Sequence, residues 1–189
     1  MAGKELTGMK VAILATNGFE QAELEKPRQA LDEAGAETTL IAPQGGTIQG
    51  TNHDQKADEF AVDLELDDAH PEDFDAVLLP GGVANADKLR MEEKAQFFVQ
   101  SMDKNGKPIA VICHGPWLLI SAGLAKGRHL TSYYTLQDDL RNAGAQWSDE
   151  EVVLDCNWVS SRQPDDIPAF NSQMVKLFAE ARQKSELRS

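Results

Sequence analysis

Ala110–Leu119 reads A-V-I-C-H-G-P-W-L-L, and the fold turns on how this stretch is read. Ala110, Val111 and Ile112 form a short, uninterrupted apolar run with β-branched members, the pattern of a strand buried on both faces of a parallel sheet. The run stops at Cys113. Gly115 supplies the freedom for a sharp turn, Pro116 suits the first turn of a helix, and Trp117, Leu118, Leu119 and Ile120 begin that helix's apolar face. Cys113 is therefore expected at a strand-to-helix turn.

A thiol at such a turn faces the first N–H groups of a helix and its dipole, both of which favour an anion, so Cys113 is expected to ionise more readily than a free cysteine. The thiolate is the nucleophilic form. Hydrolases with a strained elbow hold a nucleophile in the same way at the carboxyl edge of a sheet, although the glycines here do not match G-x-S-x-G. A buried cysteine acting as a small hydrophobe is the alternative, and the helix start and the adjacent His114 weigh against it.

Outward from this stretch the chain alternates strand and helix. Lys10–Ala15 reads as the first buried strand, ended by Thr16-Asn17-Gly18. Helical periodicity runs from Gln21 to Ala34 and is closed by Gly35, and Thr38–Ala42 is a second strand. Residues 47–62 read as short strands or a hairpin, and 63–75 as an acidic connection. Ala76–Leu79 is a strand cut off by Pro80-Gly81-Gly82. Glu92–Lys104 is a helix, and Asn105-Gly106-Lys107-Pro108 turns the chain into the Cys113 strand. After it come a helix over 136–143, strands over 152–154 and 158–160, and a closing helix over 164–184. The pattern predicts one α/β domain over 1–189, a doubly wound sandwich with a mostly parallel sheet and a loose extension at 1–8.

Composition narrows the function. The 189 residues are 41% hydrophobic, enough for a core without staples, and the two cysteines make no disulfide framework. The opening residues lack the apolar stretch of a signal peptide, so the cytoplasm is the expected compartment. With 18 Lys and Arg against 31 Asp and Glu, the formal charge of -13 disfavours nucleic acid and anionic membranes as partners. No run is long enough to span a membrane.

Sites in open parallel sheets form beyond the carboxyl ends of the strands, where Asn17-Gly18-Phe19-Glu20, Pro80-Gly81-Gly82 and Cys113-His114-Gly115 should meet. Glu20 can supply a carboxyl group beside the thiol, protonated if desolvated; equally, it is an ordinary acid at a helix start. Gly81 and Gly82 can turn backbone N–H groups toward an oxyanion, or make an ordinary tight turn. His114 is the candidate base, but sequence neighbours in a strand point apart, so a direct bond to Cys113 does not follow from the spacing. Asp87 is the nearest acid after the Gly-Gly turn that can orient the imidazole. His53, His70 and His129 read as surface residues and Cys156 as structural. No cluster has metal-ligand spacing and no phosphate or dinucleotide loop appears, so neither metal nor cofactor is expected.

Taken together, L-L-P-G-G, G-F-E-Q-A-E-L, A-V-I-C-H-G-P-W-L-L-I-S-A-G-L, D-D-L-R-N-A-G-A and V-V-L-D-C-N-W-V-S-S-R-Q-P-D-D-I-P-A-F resemble the PfpI-type peptidases and deglycases of the class I glutamine-amidotransferase-like superfamily. The resemblance implies a flavodoxin-like sandwich with Cys113 as nucleophile, His114 beside it, Glu20 contacting the thiol and Tyr133 lining the site. It implies a third acid, assigned to Asp87, that reaches His114 from a neighbouring subunit of a dimer or hexamer. Three activities follow from it: a hydrolase of reactive dicarbonyls or early glycation adducts, a cysteine peptidase, or a redox sensor or chaperone that uses an oxidisable Cys113.

Overall fold

Apolar runs that the sequence ends at glycine, proline or cysteine lie side by side as parallel strands. The computed structural model describes residues 4–187. In chain order the elements are β1 (Lys10–Leu14), β2 (Phe19–Glu20), α1 (Gln21–Glu33), β3 (Glu37–Ala42), β4 (Thr47–Asn52), β5 (Gln55–Ala61), β6 (Leu64–Glu65), β7 (Ala76–Leu79), α2 (Val83–Leu89), α3 (Glu93–Lys104), β8 (Ile109–Ile112), α4 (Pro116–Ser121), β9 (His129–Leu130), α5 (Gln137–Asn142), β10 (Gln146–Trp147), β11 (Val152–Asp155), β12 (Trp158–Ser161) and α6 (Ile167–Glu186). The main sheet has the order β11-β12-β8-β7-β1-β3-β6. Its strands pair in parallel except the edge hairpin β11–β12.

Successive side chains of a strand point to opposite faces, and here both faces are covered. Val11 and Ile13 of β1, Leu78 of β7 and Ala110 and Ile112 of β8 pack with Leu24 and Leu31 of α1 and with Phe170, Met174 and Phe178 of α6. Ala12 and Leu14, Val77 and Leu79, and Val111 face Phe98, Val99 and Met102 of α3 and Leu118 and Leu119 of α4. This is the α/β sandwich expected from the sequence, with a core in two layers. A seven-residue helix, α2, follows Gly82 where only a turn was read.

After β1 the chain builds outward to β3 and β6, then crosses back to place β7 on the other side of β1. The crevice at the carboxyl ends of β1, β7 and β8 is thus the point where the strand order reverses, the usual ligand position in such sheets. A second, small sheet, β2-β4-β5, brings the β4–β5 hairpin to this same end. Among the described residues no helix is long and apolar enough to cross a membrane.

Of the segment read as a loose extension, 1–3 lie outside the described residues. Leu6 does not hang free: its side chain is 0% exposed and its N–H donates to the Ala34 carbonyl at 2.9 Å. Leu6→Ala is expected to cost about 2–5 kcal/mol in urea unfolding, as for other buried leucines, and Lys4→Ala on the surface less than about 0.5. A Leu6→Ala loss as small as that of Lys4→Ala would mean that this contact adds nothing.

Candidate active site

Cys113 leaves β8 with φ +62°, in the left-handed region that a residue with a Cβ adopts only at a cost. The backbone on either side holds it there: its N–H donates to the Ser161 carbonyl at 3.1 Å, and its carbonyl accepts the Tyr133 N–H at 2.9 Å. The turn lifts the thiol off the sheet and rotates it toward the next residue. As a result Cys113 Sγ lies 3.1 Å from His114 Nδ1, a contact the spacing alone did not establish. The imidazole stacks on Tyr133 (centroids 4.8 Å, 30° between planes) and meets Trp117 edge-on. Burial lowers the His114 pKa from 6.5 to about 4, so the ring is neutral at physiological pH and one nitrogen can accept a proton.

The carboxyl group beside the thiol belongs to Glu23, not to Glu20. Glu20 caps α1 with extended backbone, and its Oε2 accepts the His53 N–H of the β4–β5 hairpin at 3.0 Å. Glu23, one helical turn later, is 0% exposed; its Oε2 accepts the Gly81 N–H at 2.8 Å, and its carboxyl group hydrogen-bonds the Cys113 side chain. Burial, with a lesser push from Glu20, raises the Glu23 pKa from 4.5 to about 8, so the carboxyl group stays protonated at neutral pH. Its other oxygen, Oε1, is buried with no nitrogen or oxygen partner.

Burial pushes the Cys113 thiol up as well, and a charge on Glu23 would push it further. The backbone N–H groups of Gly82 and His114 both point to the sulfur and pull the other way, but burial prevails. The easily ionised thiol expected from the helix start is therefore replaced by one that stays protonated at rest. At six residues, α4 offers only a short dipole against that desolvation.

The Gly-Gly turn serves a different purpose from the one expected. A Cβ on Gly81 would collide with the Glu23 carboxyl and, at 2.6 Å, with the Cys113 Cβ; one on Gly82, at φ +91°, would strike the backbone of Gly18, Phe19 and Glu20. Two glycines let three turns close on one another. The Gly81 N–H is taken by Glu23 and the Gly82 N–H by the sulfur, so neither is idle as an oxyanion donor. Asn85, buried and not singled out in the sequence, ties this corner together: Oδ1 accepts the Thr16 N–H at 2.7 Å, and Nδ2 donates to the carbonyls of Pro80 and Gly81.

Tyr133 packs against His114 and lines the same cavity. Asp87, expected to reach the His114 of a neighbouring subunit, is exposed on α2, and no acid of this chain bonds the imidazole among the described residues. His53, expected on the surface, sits at φ +57° at the hairpin tip and lines the mouth of the cavity. Cys156 is exposed and left-handed in the β11–β12 turn rather than packed inside. No group of three or more His, Cys, Asp or Glu among the described residues is gathered as a metal ion would require.

The pattern of the DJ-1/PfpI family matches residues 9–177. This chain belongs to that family. Over 169 residues, 89% of this chain and 99% of the relative, it is 46% identical to the deglycase PfpI of Pyrococcus furiosus. It is 41% identical over 170 residues, 89% of this chain and 96% of the relative, to protein/nucleic acid deglycase 2 of Escherichia coli. Among solved structures, DJ-1beta of Drosophila melanogaster superposes with a TM-score of 0.82 at 27% identity, covering 93% of this chain and 94% of the other. The DJ-1/PfpI sandwich is thus the frame in which Cys113, His114 and Glu23 meet.

The folded chain holds the Glu23 proton to about pH 8, whereas the ordinary carboxyl value is 4.5. Between those values the native state binds the extra proton, so each pH unit upward costs it about 1.4 kcal/mol of stability. The lowered His114 pKa works in the opposite direction between about 4 and 6.5, so the difference between variant and parent isolates Glu23. The advantage of Glu23→Gln over the parent in urea unfolding is expected to grow steadily from about pH 5 to about pH 8. A difference that stays flat with pH would show that Glu23 is ionised in the folded protein.

Proposed function

We propose that this chain is a cysteine-dependent hydrolase of reactive dicarbonyls and of their early adducts on amines, a deglycase. The observation that carries the reading is the Cys113 thiol held on a left-handed turn between a neutral imidazole at 3.1 Å and a protonated Glu23. Relatives at 41–48% identity that bear the name deglycase support it. The free thiols fit a reducing cytoplasm.

The chemistry needs no external oxidant. Sγ adds to the aldehyde carbon of methylglyoxal, or to the aldehyde released when an adduct sheds its amine. His114 Nδ1 takes the thiol proton and Glu23 gives its own to the new alkoxide, yielding a neutral hemithioacetal. Glu23, now a carboxylate, removes the hydrogen from the sulfur-bound carbon while His114 protonates the neighbouring carbonyl oxygen, giving an enediol. Collapse returns the hydroxyl proton to His114 and delivers the Glu23 proton to the second carbon, leaving a thioester of lactate. The first carbon is oxidised by two electrons and the second reduced by two. Glu23 then deprotonates a water that cleaves the thioester, His114 protonates the departing sulfur, and lactic acid leaves.

Peptide hydrolysis by the same thiol is the second reading, and it turns on the fact that no acid of this chain bonds His114 among the described residues. A peptidase needs an acid there, and Asp87, on α2 next to the 56% exposed Val83, would have to come from another copy in a dimer or hexamer. Peptide cleavage that vanishes both in Asp87→Asn and on dissociation would favour this reading over the first.

For the deglycase, kcat/KM with methylglyoxal is expected to hold a plateau between an acid limb near 4, where His114 becomes charged, and an alkaline limb near 8, where Glu23 loses its proton. Cys113→Ser should abolish lactate release, and Glu23→Gln should lower turnover by about 10²–10⁴-fold and remove the alkaline limb. If that limb persists in Glu23→Gln, Glu23 is not the proton carrier.

A further inference from the structure

The cavity that holds Cys113 has a volume of about 1110 Å³, and its lining is one-sided in charge. Glu20 contributes from the start of α1, Asp54 from the β4–β5 tip and Asp165 from the segment before α6, the protonated Glu23 adding no charge, while no Lys or Arg lines it among the described residues. Lys56 of β5 stands opposite Thr51 but does not line the cavity, and two arginines near it are committed elsewhere. Arg162 donates to Asp166 and Asp149, and Arg90 lies over the Trp117 ring with its Nε on Ser121. Asp54 and Asp165 are exposed and take part in no salt bridge among the described residues. Oε1 of Glu23, a residue of the same wall, is buried without a nitrogen or oxygen partner.

We propose that this mouth selects adducts carrying a positive charge next to the masked aldehyde carbon, which shed their amine inside the cavity, with Asp54 and Asp165 as its specificity-determining residues. The inference rests on the deglycase reading and names the adduct class within it. A dicarbonyl added to a guanidinium leaves the cation in place, whereas the same dicarbonyl on a thiol gives a neutral hemithioacetal. Low-dielectric walls focus the field of the acids, raising the local concentration of the cationic adduct. The same field acts on the product: lactate carries a full negative charge once released, so the lining that draws the arginine adduct in drives the carboxylate out. Each exposed acid accounts for about a threefold preference and the pair for about tenfold at low salt. The preference fades as ionic strength rises from about 10 mM to about 1 M, because the Debye length shrinks from about 30 Å to about 3 Å.

The test does not depend on turnover. In a Cys156→Ser background, Cys113 is modified with trimethylammonioethyl methanethiosulfonate, its sulfonatoethyl counterpart and neutral methyl methanethiosulfonate. In each case the thiolate takes the sulfenyl sulfur and methanesulfinate leaves. Rates are divided by those with a free thiol. The cationic reagent is expected to outpace the anionic one by about tenfold or more at low salt, and Asp54→Asn/Asp165→Asn should bring that ratio to within about twofold of unity. A ratio near unity in the parent, or one that the double substitution leaves unchanged, overturns the proposal.

Methylglyoxal adducts of N-acetylarginine amide and N-acetylcysteine amide then serve as substrates. Charge selection predicts that the double substitution raises KM for the arginine adduct relative to the cysteine adduct by about tenfold, with kcat for the two in unchanged proportion. Equal effects on both adducts count against it. Charge-selective modification without release of lactate from either adduct would leave the selection standing and remove the deglycase reading beneath it.

Discussion

Two weak acids, the Glu23 carboxyl and the Cys113 thiol, share a space from which water is almost excluded, and that space cannot hold two negative charges. The rest of the site follows from this constraint. A proton must stay on Glu23 while the sulfur is loaded, so the base that unloads the sulfur has to be a third group. That group must itself be kept uncharged, which the burial of His114 between Tyr133 and Trp117 achieves. The N–H groups of Gly82 and His114 give the sulfur a place for its charge when it comes. The coupled acids titrate as a pair, and the neutral imidazole is their outlet.

The fold assembles these groups from separate parts of the chain at the point where strand order reverses. The turn after β1 leads into the first turn of α1 with Glu23, the turn after β7 brings the glycines and Asn85, and the turn after β8 brings the thiol and its imidazole. Because β1, β7 and β8 are neighbours in one rigid sheet, their carboxyl ends are fixed relative to one another. Asn85 and the Gly81–Glu23 bond then fasten the turns themselves. The β4–β5 hairpin is held through β2, the Glu20–His53 bond, the Gln21–Asp58 bonds and the Phe19–Phe60 contact, and its tip carries His53 and Asp54 at the cavity mouth.

Much of this was readable in the residues, and the failures have local causes. β1, β7 and β8 were legible because strands buried on both faces are solid apolar runs, ended here at Thr16, Pro80 and Cys113. α2 was not, since V-A-N-A-D-K-L is two turns long and starts from a glycine at positive φ; β9 and β10, at two residues each, leave no periodic trace. Glu20 and Glu23 lie one helical turn apart and both fall in phase with Leu24, Pro27 and Leu31 on the buried side of α1. Only the extended backbone at residue 20, which sends its side chain to the hairpin, tells the acid at the cap from the acid at the sulfur. The thiol's protonation was misread because a helix start was weighed without the depth of burial. Its contact with His114 was missed because neighbours diverge in extended backbone, and Cys113 is not extended.

Gly81 has a longer reach than its size suggests. The volume a methyl group would fill there is already occupied by the acid on one side and the nucleophile's own stem on the other. Glycine at 81 is therefore the condition for keeping both the glutamate at 23 and the side chain at 113 this close. A lineage that shortened residue 23 would still meet the Cβ of residue 113 there, so a side chain could grow at 81 only with a shift of the turn after β8, and once grown it would bar the acid's return by one step. The smallest residue of the site thus acts as a ratchet on its history.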